Sequence, residues 1–152
     1  MTLPMSSTRD PFNLQRFVDA QEFVIDSVLS ELKRGRKYGH WIWFIFPQLK
    51  GLGRSSTSEF YGISSLAEAV AYLQHPVLGP RLIHCTELVN SVEGSDAEHI
   101  FGEVDAMKFR SSMTLFAQAD PGNQIFLGAL QKYFGGELDA ITVEFLQTQN
   151  PH

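Results

Sequence analysis

The stretch DPFNLQRFVDAQEFVIDSVLSELK, residues 10–33, repeats apolar side chains at every third or fourth position. This spacing places them on one face of a helix; they are Leu14, Phe17, Val18, Val24, Ile25, Val28, Leu29 and Leu32. Asp10 is a good capping residue, and Pro11 suits the first helical position. The basic residues and glycines of KRGRKYG, residues 33–39, favour a helix end. We therefore expect one long amphipathic helix from Asp10 into this segment.

Capping residues predict where the later helices begin. Ser65 and Ser95 are each followed three positions later by a glutamate, which is the spacing of a capping box. Asp105 and Asp139 can cap two further helices, and another helix is expected over about 122–134. Proline and glycine predict where these helices end; the expected stops are Pro76, Gly94, Gly102, Pro121 and Gly135.

The segment WIWFIF, residues 41–46, is continuously apolar. Periodicity cannot separate a buried strand from a buried helical turn in so short a run, and both readings stay open for the run itself. We expect an extended aromatic segment near residues 40–47. The predicted fold is a mainly α, single compact domain of about six or seven helices.

Composition bounds the class of protein. The 152 residues are 43% hydrophobic and 12% aromatic, which suits one packed domain and excludes a disordered chain. We expect a flexible leader over 1–9, a globular domain over 10–147 and a tail over 148–152. No secretory leader pattern is present and no apolar run reaches the roughly 20 residues of a membrane helix, so no membrane partner and a cytoplasmic location are expected.

Charge and metal-ligand content exclude several functions. Twelve Lys and Arg against seventeen Asp and Glu give a net charge of -5, which argues against binding of duplex nucleic acid. The single cysteine, Cys85, cannot form an internal disulfide or a cysteine-based metal cluster. The histidines lack the spacing of metal ligands, so neither a metal nor a cofactor is predicted; they are His40, His75, His84, His99 and His152. His40 is the best candidate for proton transfer, because an unperturbed imidazole titrates near neutral pH.

The segment KGLGRSS, residues 50–56, has the composition of a loop that can hold an anion. Glycines let backbone N–H groups approach a phosphate, and an arginine with hydroxyls can complete its cradle. The expected contacts are Lys50, Gly51, Gly53, Arg54 and Ser55. The alternative interpretation is a simple turn.

The aromatic run before this loop divides into two groups. Ile42, Phe44 and Phe46 are expected in the core, since large apolar side chains bury the most area. Trp41 and Trp43 carry an indole N–H that seeks a partner, and their rings can stack on a base beside Arg54 or Lys50. We predict that both tryptophans form the wall of a ligand pocket.

A second polar concentration, DAMKFRSSMTLF, lies on one predicted helix at residues 105–116. Lys108, Ser111 and Ser112 share a face by helical spacing, and Asp105 precedes Lys108 by three residues. One interpretation is a solvated face with a salt bridge. The other is that Lys108, Arg110 and the two serines reach the same cleft as the glycine loop, where the lysine would bind phosphate or attack a sugar aldehyde.

Several segments together resemble a known family. They are GHWIWFIFPQLKGLGRS, FYGI, AYLQHPVLGPRL, KFRSSMTLF and KYFGGELD. From about Asp10 to Leu146 the chain is similar to an uncharacterised bacterial domain family that is often labelled calpastatin. The calpain inhibitor of that name is of the disordered, highly charged class, so the label does not fit a composition of this kind.

A more distant resemblance implies a class of ligand. The order of elements is similar to the NADAR superfamily, small α-rich proteins associated with NAD and ADP-ribose, some of which remove ADP-ribose from a modified base. TSEFYGI resembles its acidic and aromatic segment, which implies roles for Glu59 and Tyr61. MKFRSSMTLF resembles its later Met-and-Lys helix, which implies that Lys108 forms a Schiff base.

These observations lead to three functional expectations. The first is a pocket for a phosphorylated ribose compound of the NAD or ADP-ribose type, with cleavage of an N-glycosidic bond by Lys108, His40 and Glu59 as the reaction to test. The second is a protein-interaction module that uses an exposed aromatic patch. The third is contact with single-stranded nucleic acid through the aromatic and basic residues of 37–54. The sequence leaves the oligomeric state open.

Overall fold

The structure is a computed structural model and describes residues 10–149. The predicted leader, residues 1–9, lies outside the described residues, as do the last three positions of the predicted tail. The last helix runs to Gln149, past residue 147 where the globular domain was expected to end.

The described residues form ten α-helices. They are α1 Gln15–Glu22, α2 Ile25–Lys33, α3 Ile42–Ile45, α4 Ser56–Phe60, α5 Leu66–Gln74, α6 Leu78–Ser91, α7 Ala97–Phe101, α8 Glu103–Ala119, α9 Gln124–Phe134 and α10 Ala140–Gln149. Among residues 10–149 the only β pairing is an isolated parallel bridge between Leu49 and Ile63, which lie outside the helices. The prediction of a mainly α domain is confirmed, whereas the expected six or seven helices are too few. None of the described helices combines the length and the apolar character that crossing a membrane requires.

The predicted long helix over 10–33 is in fact two helices, α1 and α2, with a break at Phe23 and Val24. The helix also begins at Gln15 and not at Pro11. The N-cap position is occupied by Leu14, which makes no side-chain capping bond, so the prediction of Asp10 as the cap is wrong. The carboxylate of Asp10 nevertheless accepts the N–H groups of Leu14 and Gln15 at 2.6 and 3.0 Å. The break follows from tertiary packing, because α1 packs against α3 whereas α2 packs against α6.

The expected extended segment over 40–47 contains the helical turn α3. The N–H groups of Ile45 and Phe46 donate to the carbonyls of Trp41 and Ile42 at 3.1 and 3.0 Å. Ile42 and Phe46 are buried, as predicted, and Phe44 is half-buried. The prediction of extended backbone is therefore wrong for the middle of this segment.

Two predicted caps are confirmed and two are shifted. Ser65 accepts the N–H of Glu68, and Asp139 accepts that of Thr142, both at 3.1 Å. Asp96, not Ser95, caps α7. Gly102, not Asp105, immediately precedes α8. Its φ of 83° lies in the left-handed region that favours glycine, and the same residue ends α7. Asp105 is thereby free to form ion pairs instead.

Helix α8 is the centre of the fold. It packs against α3, α5, α7, α9 and α10, and most of its residues from Ala106 to Ala117 are buried. Phe109 of α8 stacks on Phe101 with ring centres 4.6 Å apart and meets Phe46 edge-on at 5.0 Å. This aromatic cluster fixes α3 and the loop after it against α8, and so positions the cleft described next.

Candidate functional site

A cleft of about 250 Å³ opens between the loop after α3, the first half of α8 and the start of α10. Its lining combines apolar side chains with a few polar groups; the residues are Gln48, Leu52, Gly53, Val104, Met107, Lys108, Ser111, Asp139 and Ile141. Gly53, Lys108 and Ser111 were predicted to meet in one cleft, and the structure brings these three together.

Local packing explains the shape of the loop wall. Gly51 has a φ of +97°, a conformation that side chains other than glycine rarely adopt. A Cβ at Gly53 would lie 2.4 Å from the Oγ of Ser58. The loop therefore approaches α4 so closely that a side chain at position 53 would displace one of the two segments. Ser55 then caps α4, with its Oγ accepting the N–H of Ser58 at 3.1 Å. These contacts fit the simple-turn interpretation of the loop, and they join the loop to α4.

Lys108 is the one cation that lines the cleft. Its Nζ lies 3.4 Å from the Oδ1 of Asp105 and 5.1 Å from the ring centre of Trp43. Asp105 also pairs with Lys37 at 2.7 Å through its other oxygen. An aromatic face and a carboxylate are both surroundings suited to a charged ammonium group. The arrangement therefore favours Lys108 as a binding cation over the nucleophile of a Schiff base.

Other polar groups of the cleft have structural partners. The Oγ of Ser111 donates to the carbonyl of Met107 at 3.1 Å and keeps its lone pairs for another donor. Asp139 accepts the N–H and the Oγ1 of Thr142 through Oδ2. Trp43, whose ring faces the ammonium group of Lys108, does not itself line the cleft, and its indole Nε1 is buried without a hydrogen-bond partner among residues 10–149.

Several predicted ligand contacts lie elsewhere. Trp41 is 2% exposed, and its Nε1 donates to Glu31 at 3.0 Å. Arg110 binds the carboxylate of Glu137 and the carbonyl of Leu138, both at 2.8 Å. Ser112 is fully buried in the core.

Lys50 and Glu59 line a separate depression of about 430 Å³. Tyr61 lies outside both cavities and packs on Phe44 with ring centres 5.3 Å apart. His40 and Arg54 are exposed and line neither cavity. The three predicted catalytic residues, Lys108, His40 and Glu59, thus share neither of these two cavities.

The floor of the second depression is a buried ion pair that sequence reasoning missed. Arg16 and Glu68 are 2.9 Å apart, and their side chains are only 9% and 2% exposed. Arg16 also donates to four backbone carbonyls, while Glu68 accepts the N–H and Oγ of Ser64. With every donor of the guanidinium satisfied, Arg16 joins the start of α1 to the segment before α5 and is not available to a ligand.

Apolar residues of the cleft were also missed. Val104, Met107, Lys108 and Ser111 follow i, i+3, i+4 and i+7 spacing on α8, so they share one face. The helical spacing that grouped Lys108 with Ser111 also predicts that Val104 and Met107 lie on this face. Ile141 has no comparable pattern, because its approach to α8 depends on how α10 packs.

Between residues 10 and 149 no three His, Cys, Asp or Glu side chains are grouped to hold a metal ion. Burial raises the pKa of Cys85 to about 12, which leaves it a protonated, poorly reactive core thiol.

Residues 10–149 form a small, mainly helical domain, and the cleft between the loop after α3, α8 and α10 is of mixed polarity and carries Lys108. The chain belongs to the family described as a protein of unknown function, DUF1810, whose model matches residues 11–146. The chain is also similar to a solved structure, the conserved hypothetical protein Rv1873 from Mycobacterium tuberculosis. The two share 59% sequence identity and superpose with a TM-score of 0.89 over 90% of this chain and 98% of that one. No protein with a curated description matches the chain. Neither the family description nor the structural relative carries the calpastatin or the NADAR name.

Proposed function

We propose that the cleft beside Lys108 binds a small phosphorylated ribose compound of the NAD or ADP-ribose type. The observation that carries the proposal is that Lys108 and Gly53 line the same cleft. The ammonium group contacts the phosphate, while the backbone of the glycine loop approaches it from the other side. Gln48, Ser111 and Asp139 supply donors and acceptors for sugar hydroxyls.

The size of the cleft limits how much of the ligand it encloses. Pockets that bury drug-sized ligands measure about 300–1,000 Å³, and this cleft measures about 250 Å³. It therefore encloses a ribose phosphate group and leaves the rest of a larger ligand outside. Leu52, Met107 and Ile141 form the apolar part of the wall and contact the sugar ring.

Hydrolysis of an N-glycosidic bond is the reaction to assay if binding is found. An acid or base must lie within hydrogen-bond reach of the scissile bond. Asp139 is the carboxylate that lines the cleft, whereas Glu59 lies in the second depression. Asp139 therefore takes the role that the family resemblance assigned to Glu59.

Thermal unfolding with added ligand tests the proposal. The ligands are ribose 5-phosphate, ADP-ribose, AMP, NAD and inorganic phosphate, and one that binds only the native state stabilises it by about 2.7 kcal/mol at a hundred times its dissociation constant. Lys108→Met should remove the shift, whereas the matched variant Lys50→Met, in the other depression, should keep it. A shift that survives Lys108→Met, or no shift with any of the five, would overturn the assignment.

The exposed apolar residues around the cleft favour a second candidate, self-association through this face. Val104, Met107 and Ile141 are 64%, 51% and 64% exposed, which is unusual for large apolar side chains that lie together. The predicted patch was the aromatic segment, but most of that segment is buried. Sedimentation velocity over a range of concentrations tests this candidate: Ile141→Asp should abolish any dimer, and Phe23→Asp, at a still more exposed apolar position outside the cleft, should not.

A further inference from the structure

The segment that joins α2 to α3, residues 34–41, alternates in exposure along its length. Its even-numbered residues are exposed: Arg34, Arg36, Tyr38 and His40. The odd-numbered residues turn inward, with Gly35 and Trp41 buried and Lys37 and Gly39 half-buried. We call residues 34–41 the basic segment. Its outward side consists entirely of two guanidinium groups, a phenol ring and an imidazole.

The inward residues anchor this segment firmly. One oxygen of Glu31 accepts the N–H groups of Tyr38 and Gly39 at 2.7 and 2.9 Å and the Nε1 of Trp41 at 3.0 Å. The backbone N–H of Lys37 donates to the carbonyl of Ile100 at 2.7 Å. The outward side chains are therefore presented by a preorganised backbone, which lowers the entropy cost of binding a ligand.

No described carboxylate forms an ion pair with the positive charges on this surface. Among residues 10–149 neither Lys33, at the end of α2, nor Arg34 nor Arg36 forms an ion pair. Of the nearby carboxylates, Glu31 points inward to its three donors and Asp105 is paired with Lys37. Asp26 lines a shallow depression with Lys33 and Arg34 and is the one acidic group beside them there. Three unpaired cations thus lie close together in a chain of net charge -5.

Tyr38 supplies a flat surface beside these cations. Its side chain is 66% exposed, and the guanidinium carbon of Arg36 lies 5.8 Å from its ring centre. A base can stack on an exposed aromatic ring while arginines bind the flanking phosphates. Stacking of this kind requires an unpaired base, and this requirement selects single strands over duplexes.

We propose that the basic segment binds single-stranded nucleic acid, with a base on Tyr38 and phosphates on Arg34 and Arg36. From residue 34 to residue 40 the backbone spans at most about 21 Å, so the site takes only a few nucleotides. Lys33 lies at one end of this surface and extends its positive character. No residue of the basic segment lines the cleft, although Lys37 and Lys108 pair with the same carboxylate, Asp105. The two proposals are tested by different variants, Lys108→Met for the cleft and Arg34→Gln with Arg36→Gln for the basic segment.

Fluorescence anisotropy with a labelled oligouridine, measured over a series of salt concentrations, tests this proposal. Two or three phosphate contacts predict a slope of log K against log salt of about -1.4 to -2.1. Arg34→Gln with Arg36→Gln should weaken binding and flatten the slope. Tyr38→Leu should weaken binding about tenfold and leave the slope unchanged, because stacking releases no counterions.

The matched control is the double variant Lys50→Gln with Arg54→Gln, which removes the same number of positive charges outside the basic segment. This variant should bind the oligonucleotide within about twofold of the unchanged protein, since the screening length is only about 10 Å at 0.1 M salt. Arg34, Arg36 and Tyr38 are exposed, and substitutions at exposed positions change stability little, so all variants should unfold at similar temperatures.

Four outcomes would overturn the proposal. The first is no binding of oligouridine at low salt, and the second is an equal loss of affinity in the control variant. The third is binding of duplex as tight as that of single strand, with no effect of Tyr38→Leu. The fourth is tighter binding to anionic lipid vesicles or polyglutamate than to oligouridine.

Discussion

The Nζ of Lys108 lies 5.1 Å from the ring centre of Trp43, which joins the aromatic segment before the glycine loop to the central helix α8. A cation that close to an indole ring is attracted by the electron density of the ring face. Because Lys108 also lines the cleft, the fluorescence of Trp43 should respond to whatever binds there.

The first prediction uses this pair as a reporter. The chain has two tryptophans, and Trp41 is buried beside Glu31. A ligand phosphate that draws the ammonium away from Trp43 should change the tryptophan emission intensity, and Trp41→Phe should retain that change. Titration with ribose 5-phosphate checks this, with Lys108→Met as the variant that should not respond. A response that disappears in Trp41→Phe instead would place the ligand elsewhere.

The second prediction concerns the ion pair between Arg16 and Glu68. Removal of one partner of a buried pair leaves an uncompensated charge, so Glu68→Gln should lower the free energy of unfolding by about 3–5 kcal/mol. The exposed pair between Arg81 and Glu22 is the control, and Glu22→Gln should cost no more than about 1 kcal/mol. Urea denaturation measures both. Equal small losses would show that the buried pair does not hold α1 in place.

The third prediction is a pH dependence set by Glu31. Burial opposes ionisation of this carboxyl, but the N–H groups of Gly39, Tyr38 and Trp41 and the charge of Lys37 together hold its pKa below the ordinary value of 4.5. A carboxyl whose folded pKa is depressed stabilises the protein above its unfolded pKa, and that stabilisation is lost as pH falls through the folded value. The unchanged protein should therefore have a larger free energy of unfolding than Glu31→Gln at pH 7, and this difference should shrink below about pH 4.5.

Chemical denaturation between pH 3 and pH 7 measures this difference. Glu93→Gln, at an exposed carboxylate that forms no ion pair or side-chain hydrogen bond in the described structure, is the control and should show no such trend. A constant difference between the unchanged protein and Glu31→Gln across this range would contradict the assignment.

The fourth prediction compares two phenylalanines. Phe109 is fully buried against Phe46 and Phe101, and Phe109→Ala should cost about 3–5 kcal/mol because it leaves a cavity at the centre of the fold. Phe23 is 92% exposed at the break between α1 and α2, and Phe23→Ala should change stability by no more than about 0.5 kcal/mol. Thermal unfolding checks both. A large loss at Phe23 would mean that its ring is covered in solution.

The fifth prediction tests the shape of the glycine loop. A Cβ at Gly53 would meet the Oγ of Ser58 at 2.4 Å, so Gly53→Ala should displace the loop and weaken ligand binding in the cleft. Gly122→Ala is the control, because the nearest atom to its added Cβ is 3.8 Å away. Both variants are compared by their ligand-induced shift in unfolding temperature. Unchanged binding by Gly53→Ala would show that the loop takes no part.

Local chemistry made much of the fold predictable. Ser65, Asp139 and Gly135 were placed correctly because caps and left-handed glycines depend on a few neighbouring atoms. The break at Phe23 was missed because the apolar spacing continues through it, and only the different partners of α1 and α2 require a bend. Asp105 was mistaken for a cap because the sequence does not show that Lys37 lies beside it.

The sequence by itself determined that this is a mainly helical domain and that Lys108, Ser111 and a glycine loop are available for a cleft. Helical periodicity and capping act over one or two turns, so they can be recognised in the chain itself. Only the tertiary structure decided which of the candidates meet, since Lys108 and Gly53 come together only through packing of the loop after α3 and of α10 against α8. It also decided that Trp41 is core and that Arg34, Arg36 and Tyr38 face outward, because burial depends on residues far away in the sequence.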